Sequence, residues 1–147
     1  DLSFTQSRLN GFLAGMNEAG ITPRPEYMVQ GELTQRSGIE AATQLLKLPK
    51  PPTTIIAFND LMALGAMTAV QREGLQVGAD IAVAGFDDIP ASQDAEPPLT
   101  TVRQPIYEIG RQLTAMLLDI IDHGAERGQQ ILLEPELIIR GSSGQPL

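Results

Sequence analysis

The chain has 147 residues, 42% of them hydrophobic, which is enough for one domain with an apolar core and argues against intrinsic disorder. Its 10 Lys and Arg against 18 Asp and Glu give a net charge of 10 − 18 = −8, so it lacks the basic surface that nucleic-acid binding requires. Without cysteine, disulfides and thiolate chemistry are excluded, and no apolar run could span a membrane. We therefore expect a cytoplasmic protein, and the polar start without Met suggests a piece of something longer.

The first third of the chain predicts two amphipathic helices. Apolar residues recur at helical spacing over roughly residues 5–19, with Ser or Thr upstream as N-cap candidates and Gly20 placed to end the helix. Tyr27–Glu32 has the pattern of a strand. Thr34 opens a second helix, which Pro49 ends. The inward residues of that second helix are Ile39, Ala42, Leu45 and Leu46.

The middle of the chain predicts a parallel sheet. Thr53–Phe58 and Ile81–Phe86 are short, apolar and rich in β-branched residues, which is typical of strands covered on both faces. Between them, Asn59 or Asp60 can cap a helix that ends near Gly74. Because helices and strands alternate, we predict a βαβαβ unit with right-handed crossovers.

The last third is less regular. After Asp87 the sequence predicts a loop with about one helical turn, followed by the short segment LTTVRQP. A long helix then starts with Pro105 in the first position. The tail ILLEPELIIRGSS predicts one or two strands split around Pro135, which cannot donate to a central ladder. The broad apolar stripe of the long helix comprises Ile106, Ile109, Leu113, Met116, Leu117, Ile120 and Ile121.

Polar residues directly follow the two central strands. Asn59 and Asp60 come after the first, and Asp87 and Asp88 after the second. Ligands of open parallel sheets bind outside the carboxyl ends of the strands, where an amide and a carboxylate can hydrogen-bond the hydroxyls of a small polar ligand. The alternative is that these residues only cap a helix and form an Asx-turn. Their spacing leaves both interpretations open.

Catalytic and metal-binding motifs are missing from the sequence. His123 ends the long helix, where a cation complements the helix dipole, and no nucleophile motif accompanies it. Asp87 and Asp88 are neighbours along the chain, so their side chains diverge and make a poor acid and base pair. No phosphate-binding glycine motif and no HExxH motif is present. We therefore expect no enzyme, no cofactor and no metal.

A longer pattern carries a family resemblance. The segment AFNDLMALGAMTAVQREGLQVGADIAVAGFDDIPASQDAEPPLTTVRQP, with flanks SRLNGFLAGMNEAGI, EIGRQLTAMLLDII and LIIRGSS, resembles the C-terminal half of the lactose and galactose repressor (LacI/GalR) family of bacterial transcription regulators. The resemblance implies an α/β fold: a three-layer parallel sheet with helices on both faces, half of a periplasmic binding protein-like I (Rossmann-like) core.

Members of that family have a helix-turn-helix headpiece that binds an operator, and a core of two subdomains that closes over a small effector. Since only the later part of the core is matched, residues 1–104 are expected to form the C-terminal effector-binding subdomain without its first strands. Residues 105–147 are expected to form a crossover helix and terminal strands that belong partly to the other subdomain.

The resemblance also assigns ligand-binding roles. Arg8 matches the family arginine that reaches the effector, and Asn59 and Asp87 match polar effector contacts. Gln104 either touches the ligand or acts as a hinge. Leu33 occupies a place where well-known members carry an aromatic residue that stacks on the ligand, so that stacking partner is absent here.

Family members dimerise through the surfaces that correspond to the helices at 35–48 and 61–73 and to the loop at 89–96. The candidate interface residues of a homodimer are therefore Leu64, Met67, Ala91 and Ala95. The alternative for the first two is that they simply face the sheet.

These observations predict the effector-binding and dimerisation part of a DNA-binding repressor, with a sugar as the expected effector. Operator DNA would be contacted only through a headpiece outside this chain, and no membrane contact is expected. The alternative is a periplasmic sugar-binding protein of a transport system, which shares the fold, although PPLTTVRQP favours the repressor. An α/β enzyme is the third possibility, and it lacks a nucleophile or base.

Overall fold

The computed structural model of the chain describes residues 2–124 and 130–144. From α2 onward, helices and strands alternate as predicted, whereas no strand separates α1 from α2. The helices are α1 (Leu2–Glu18), α2 (Gln35–Leu46), α3 (Asp60–Arg72), α4 (Pro90–Asp94) and α5 (Ile106–His123). The strands are β1 (Thr54–Ile56), β2 (Ala82–Ala84), β3 (Thr101–Arg103) and β4 (Glu136–Ile138), and short 3-10 turns cover Pro25–Tyr27 and Gly141–Ser143.

The strands form two pairs, β1 with β2 and β3 with β4, and isolated parallel bridges connect the two pairs. β1 and β2 are parallel, with Ile55 opposite Val83. β3 continues the sheet beside β2 through a parallel bridge between Ala84 and Thr100, and Gly85 N donates to Thr100 O at 2.9 Å. β4 closes the series antiparallel to β3. The predicted α/β unit with parallel strands and helical crossovers is thus confirmed.

The apolar core lies between one face of this sheet and the helix pair α2 and α3. The two helices cross closely because glycines stand at the crossing: a Cβ added to Gly38 would collide with the backbone of Met62, and one added to Gly65 would collide with the backbone of Gln35. The core residues are Ala42, Leu45, Ile55, Ala63, Ala66, Met67, Ala69, Val70, Ile81, Val83 and Leu99.

The first turns of α2 and α3 are stabilised by predicted caps. The Thr34 hydroxyl accepts a hydrogen bond from Ser37 N at 3.1 Å, and Asn59 Oδ1 accepts one from Met62 N at 2.9 Å. Each satisfies a backbone donor that has no partner inside its helix. These caps fix where both helices begin, and α3 starts at Asp60, a short turn after β1 ends at Ile56.

Several predicted element ends differ. The predicted strand at Tyr27–Glu32 is wrong, since its start belongs to the turn at Pro25–Tyr27 and the described structure assigns the rest to no strand. A strand is completed by a neighbour in the ladder, which a local pattern cannot supply. α1 begins at Leu2, so the Ser and Thr residues expected as N-caps lie inside it. Of the tail, only β4 is a strand, directly after Pro135.

The second face of the sheet is largely open. Successive strand residues point to opposite faces, and Ile55 is 7% exposed whereas Ile56 is 58% exposed. The prediction that β1 is covered on both faces therefore does not hold within the described residues. The long helix α5 has no buried residue, although it carries the predicted apolar stripe, and Pro105 is its N-cap rather than its first residue. Among the described helices, none combines the length and apolar character needed to cross a bilayer.

Candidate ligand-binding site

The carboxyl ends of β1 and β2 meet at one edge of the sheet. Asp60 N, at the start of α3, donates to Phe86 O at 2.9 Å. This bond joins the chain just after β1 to the chain just after β2. Asp87 N donates to Val102 O at 2.9 Å and so brings β3 to the same edge. This edge, which we call the rim, carries Asn59, Asp87 and Gln104.

Arg8 reaches the rim from α1. Its Nη1 donates to Phe58 O at 2.7 Å, and its Nη2 donates to Asp87 Oδ1 at 3.2 Å. The guanidinium carbon lies 3.8 Å from the ring centroid of Phe86 and 4.7 Å from that of Phe58. Both distances are within the range of cation–π attraction. The Arg8 side chain is only 23% exposed, so its charge is partly desolvated and its planar fork is held in one orientation.

Asp87 is the acceptor at the centre of the rim. Its Oδ1 accepts from Arg8 and also from Gln104 Nε2, at 2.8 Å. Its side chain remains 33% exposed. The backbone φ angles of Asp87 and Asp88 are 123° and 54°, in the region that L-residues rarely adopt. Such strain persists only where the surrounding structure imposes it, and it is concentrated at functional sites.

The remaining predicted ligand residues have different surroundings. Asn59 caps α3, so the capping interpretation describes what its side chain does in this structure, and a ligand contact stays a prediction. Leu33 lies on the loop before α2, is 47% exposed and is not part of the hydrogen-bonded cluster on the rim. The structure therefore brings Arg8, Asp87 and Gln104 together and leaves Leu33 apart.

Two aromatic residues of the rim were not singled out from the sequence. Phe58 and Phe86 are the last apolar residues of their strand segments, directly before Asn59 and Asp87. Aromatic residues are also common at such positions because they pack against neighbouring strands, so the pattern alone gives no reason to connect these two with Arg8. Their shared position at two neighbouring strand ends was the available signal.

Asp88 serves a structural ion-pair network beside the rim. Its side chain is 3% exposed and accepts from Arg103 Nε and from Arg140 Nη2, both at 2.6 Å. Burial by itself would raise the pKa of this carboxyl, but the hydrogen bonds and charges of the two arginines outweigh burial and hold the pKa below its ordinary value. Asp88 is therefore a buried anion that ties β3 to the end of β4.

The four predicted interface residues share a second location. Leu64, Met67, Ala91 and Ala95 all line an open groove of about 380 Å³ between α3 and α4. Met67 is 3% exposed and packs into the core, as its alternative interpretation states, while also lining the groove. The dimer contact itself stays a prediction.

The rim has the chemistry of a polar binding site. An arginine fork and an amide both donate to one carboxylate, and charge-assisted hydrogen bonds of this kind recognise hydroxyl groups. Among the described residues, no group of His, Asp and Glu side chains is arranged to hold a metal ion. The lone histidine, His123, lies 3.1 Å from Asp119 Oδ1 on α5.

The fold is that of an α/β domain with polar side chains grouped on the rim, and the sequence pattern of the periplasmic binding protein-like domain matches residues 1–143. Within that class, the chain belongs to the LacI family of transcriptional regulators and corresponds to part of their effector-binding core.

Three relatives illustrate the match. The HTH-type transcriptional repressor CytR of Escherichia coli strain K12 is 43% identical over 136 residues, which are 92% of this chain and 40% of CytR. The transcriptional regulator CelR, solved as a cellobiose complex, is 34% identical with a TM-score of 0.83, over 92% of this chain and 41% of CelR. The lac repressor dimer, solved with operator and the anti-inducer ONPF, is 35% identical with a TM-score of 0.82, over 94% of this chain and 47% of the lac repressor chain. The chain thus spans about two fifths of the length of the curated relative.

Proposed function

We propose that this chain is the effector-binding and dimerisation part of a DNA-binding transcriptional repressor. The observation that carries the proposal is the Arg8 fork, which lies against the rings of Phe58 and Phe86 and donates to Asp87 on the rim. The relatives point the same way, since CytR is a transcriptional repressor and the lac repressor dimer was solved on its operator.

The proposed ligand is a small polyhydroxylated molecule, a sugar in the first place. In the described residues, both hydrogen bonds to Asp87 go to Oδ1, so Oδ2 is the oxygen offered to a ligand hydroxyl. Arg8 and Asp87 together can clamp neighbouring hydroxyls, with charge-assisted bonds worth roughly 1.5–3 kcal/mol each. CelR, with its bound cellobiose, is a relative for which such a ligand is on record. Asn59 would add a polar contact, and Gln104 would touch the ligand or act as a hinge.

The proposed arrangement of the whole protein follows from charge and exposure. With a net charge of −8, the chain is a poor binder of operator DNA, so that contact would belong to a headpiece outside it. Residues 1–104 would form one effector-binding subdomain, and α5 within residues 105–147 would pack partly on a second one. The homodimer would use the groove lined by Leu64 and Ala91.

A transport function is less well supported. A periplasmic sugar-binding protein would share the fold class, but the curated relatives CytR and PurR are transcriptional repressors. The same names favour a protein without enzymatic activity.

The test uses the full-length protein and a thermal-shift screen of sugars, cellobiose included, and of nucleosides. A ligand at 100 times its Kd should add about 2.7 kcal/mol of stability. Asp87→Ala should abolish this gain while leaving operator retardation intact, because Asp87 lies on the rim. The matched control is Glu73→Ala, an exposed carboxylate at the other end of α3, about 20 Å along the helix from the rim. An Asp87→Ala protein that still releases operator at the native ligand concentration would contradict the proposal.

A further inference from the structure

Asp60 is a buried carboxylate beside the rim that the ligand site itself does not use. It is the first residue of α3 and is 1% exposed. In the described part of the chain its hydrogen-bond donors are neutral: Oδ2 accepts from Ile89 N at 3.0 Å and from Ser92 Oγ at 2.7 Å, and Oδ1 accepts from Thr101 Oγ1. The position in the first turn of a helix also favours a negative charge.

These bonds hold the chain on both sides of Asp87. Before it, Asp60 N donates to Phe86 O at 2.9 Å. After it, Ile89 N donates to the Asp60 carboxylate, and the Thr101 hydroxyl that donates to Asp60 also accepts from Asp88 N at 3.4 Å. The two residues with positive φ, Asp87 and Asp88, lie between these attachment points.

A carboxylate suits this position because it only accepts hydrogen bonds. Two donors converge on Oδ2 and a hydroxyl donates to Oδ1, so an amide in its place would turn one acceptor into a donor. The chain also makes room for the group: a Cβ added to Gly85 would collide with Asp60 Oδ1.

We propose that Asp60 is a positioning residue: through Thr101, Ser92 and the Ile89 amide it imposes the strained conformation that aims Asp87 at Arg8 and Gln104. The ligand-binding consequence of this inference rests on the function proposed above. The positioning itself does not, so it can be tested without ligand.

The experiment is a double-mutant cycle in the full-length protein, followed by thermal unfolding. Thr101→Val removes the bridging hydroxyl with little change of shape, and Asp87→Asn weakens the Arg8 contact. If the Thr101 hydroxyl positions Asp87, the Tm of the double variant should fall clearly less than the two single losses combined. The reason is that an Asp87 already displaced by Thr101→Val contributes less stability through its contact with Arg8. Ser92→Ala replaces Thr101→Val if that variant fails to fold.

The matched control is Ser142→Ala, which also removes a fully buried hydroxyl. The Ser142 hydroxyl accepts from Thr100 N at 2.7 Å and donates to Val83 O at 2.6 Å, not to the segment around Asp87. Its Tm loss should add to that of Asp87→Asn. If Thr101→Val and Asp87→Asn add in the same way as this control pair, the inference is overturned.

A second measurement separates the inference from the proposed function. With the strongest stabiliser from the sugar and nucleoside screen, Thr101→Val should raise the Kd by about ten-fold, the equivalent of one lost hydrogen bond, whereas Ser142→Ala should leave it nearly unchanged. Native affinity in Asp87→Ala would overturn the ligand role of the rim, and the non-additive Tm would still support the positioning of Asp87.

Discussion

At the scale of single residues, two adjacent carboxylates have separate roles. Asp87 is 33% exposed and faces Arg8 and Gln104, whereas Asp88 is 3% exposed and lies between Arg103 and Arg140. Neighbouring side chains diverge, so one position points to the rim and the next into the sheet. This division keeps one charge available to a ligand while the other stabilises the fold.

The first residue-level prediction concerns Arg8. An ammonium group cannot donate to Phe58 O and Asp87 as a planar fork, and it lacks the flat guanidinium face that can lie against the rings of Phe58 and Phe86. Arg8→Lys should therefore lose nearly as much ligand affinity as Arg8→Ala, measured by titration calorimetry in the full-length protein. Arg72→Lys, on the exposed last turn of α3, should leave the affinity unchanged. Native affinity in Arg8→Lys would show that charge alone suffices.

A second prediction follows from the lowered pKa of Asp88. Because its folded-state pKa lies below its ordinary value of 3.8, ionised Asp88 stabilises the fold above that value, and this contribution is lost as the pH falls through the folded-state pKa. Asp88→Asn should cost about 2 kcal/mol at neutral pH, since it leaves Arg140 without its buried partner.

Urea unfolding measures this difference between native and variant protein. The difference in free energy of unfolding between native protein and Asp88→Asn should shrink as the pH is lowered from about 7 to about 3. Asp94→Asn on α4, which removes an exposed carboxylate, serves as the control and should change stability little at either pH. A constant difference for Asp88→Asn across this range would argue against a charged Asp88 network.

At the scale of elements, the contact of α2 with α3 is the largest helix packing in the described structure, and it depends on two glycines. Gly38 and Gly65 stand where each helix meets the backbone of the other. Close crossing of these helices places α3 against β1 and β2, with its N-terminus at the rim. Helix packing and site geometry are thus connected through α3.

A third prediction tests this crossing. Gly65→Ala should destabilise the protein by about 3 kcal/mol, because the added methyl meets backbone of Gln35 that cannot rotate away. Gly11→Ala in α1 is the matched control: nothing lies within 4 Å of its added Cβ, so better helix propensity should stabilise by up to about 1 kcal/mol. Both are measured by urea unfolding. Equal effects of the two substitutions would contradict the close crossing.

At the scale of the whole molecule, α5 is the feature that the described structure leaves without cover. Tyr107 is 84% exposed, Leu113 66% and Ile121 68%, and no residue of the helix is buried. Monomeric proteins rarely expose a continuous apolar face of this size. The proposed cover is a second subdomain outside this chain, which agrees with the two fifths of CytR that the chain spans.

The fourth prediction is that the 147-residue chain alone has low stability, self-associates and binds ligand weakly. Each exposed Ile or Leu side chain forgoes roughly 1.5–3 kcal/mol of stabilisation by burial, and several together are a large share of a domain's total free energy of unfolding. Replacing Leu113 and Leu117 by Glu should reduce association in sedimentation experiments, whereas Gln44→Glu on the exposed part of α2 should not. A strictly monomeric 15.8 kDa species with cooperative unfolding would contradict this prediction.

Most helices and strands could be predicted from local sequence, since their signals act over a few residues. Thr34 caps the helix it was predicted to open, and Asn59, one of two predicted candidates, caps α3. The apolar runs around Ile55 and Val83 are the central parallel strands. The strand predicted at Tyr27–Glu32 failed for the complementary reason, because a strand exists only with a hydrogen-bonded neighbour. The order of strands also determined that Asn59 and Asp87 share one rim.

The kind of site could be predicted from the sequence, whereas its geometry depends on how the chain packs. The family pattern marked Arg8 and Asp87, 79 positions apart, as candidates for the same ligand. Only the folded chain revealed that the Arg8 guanidinium lies against Phe58 and Phe86 and that Asp88 pairs with Arg140. The physical reason is that charge pairs and ring contacts act through space over a few ångströms, so partners distant in sequence are chosen by the packing of α1, the sheet and β4.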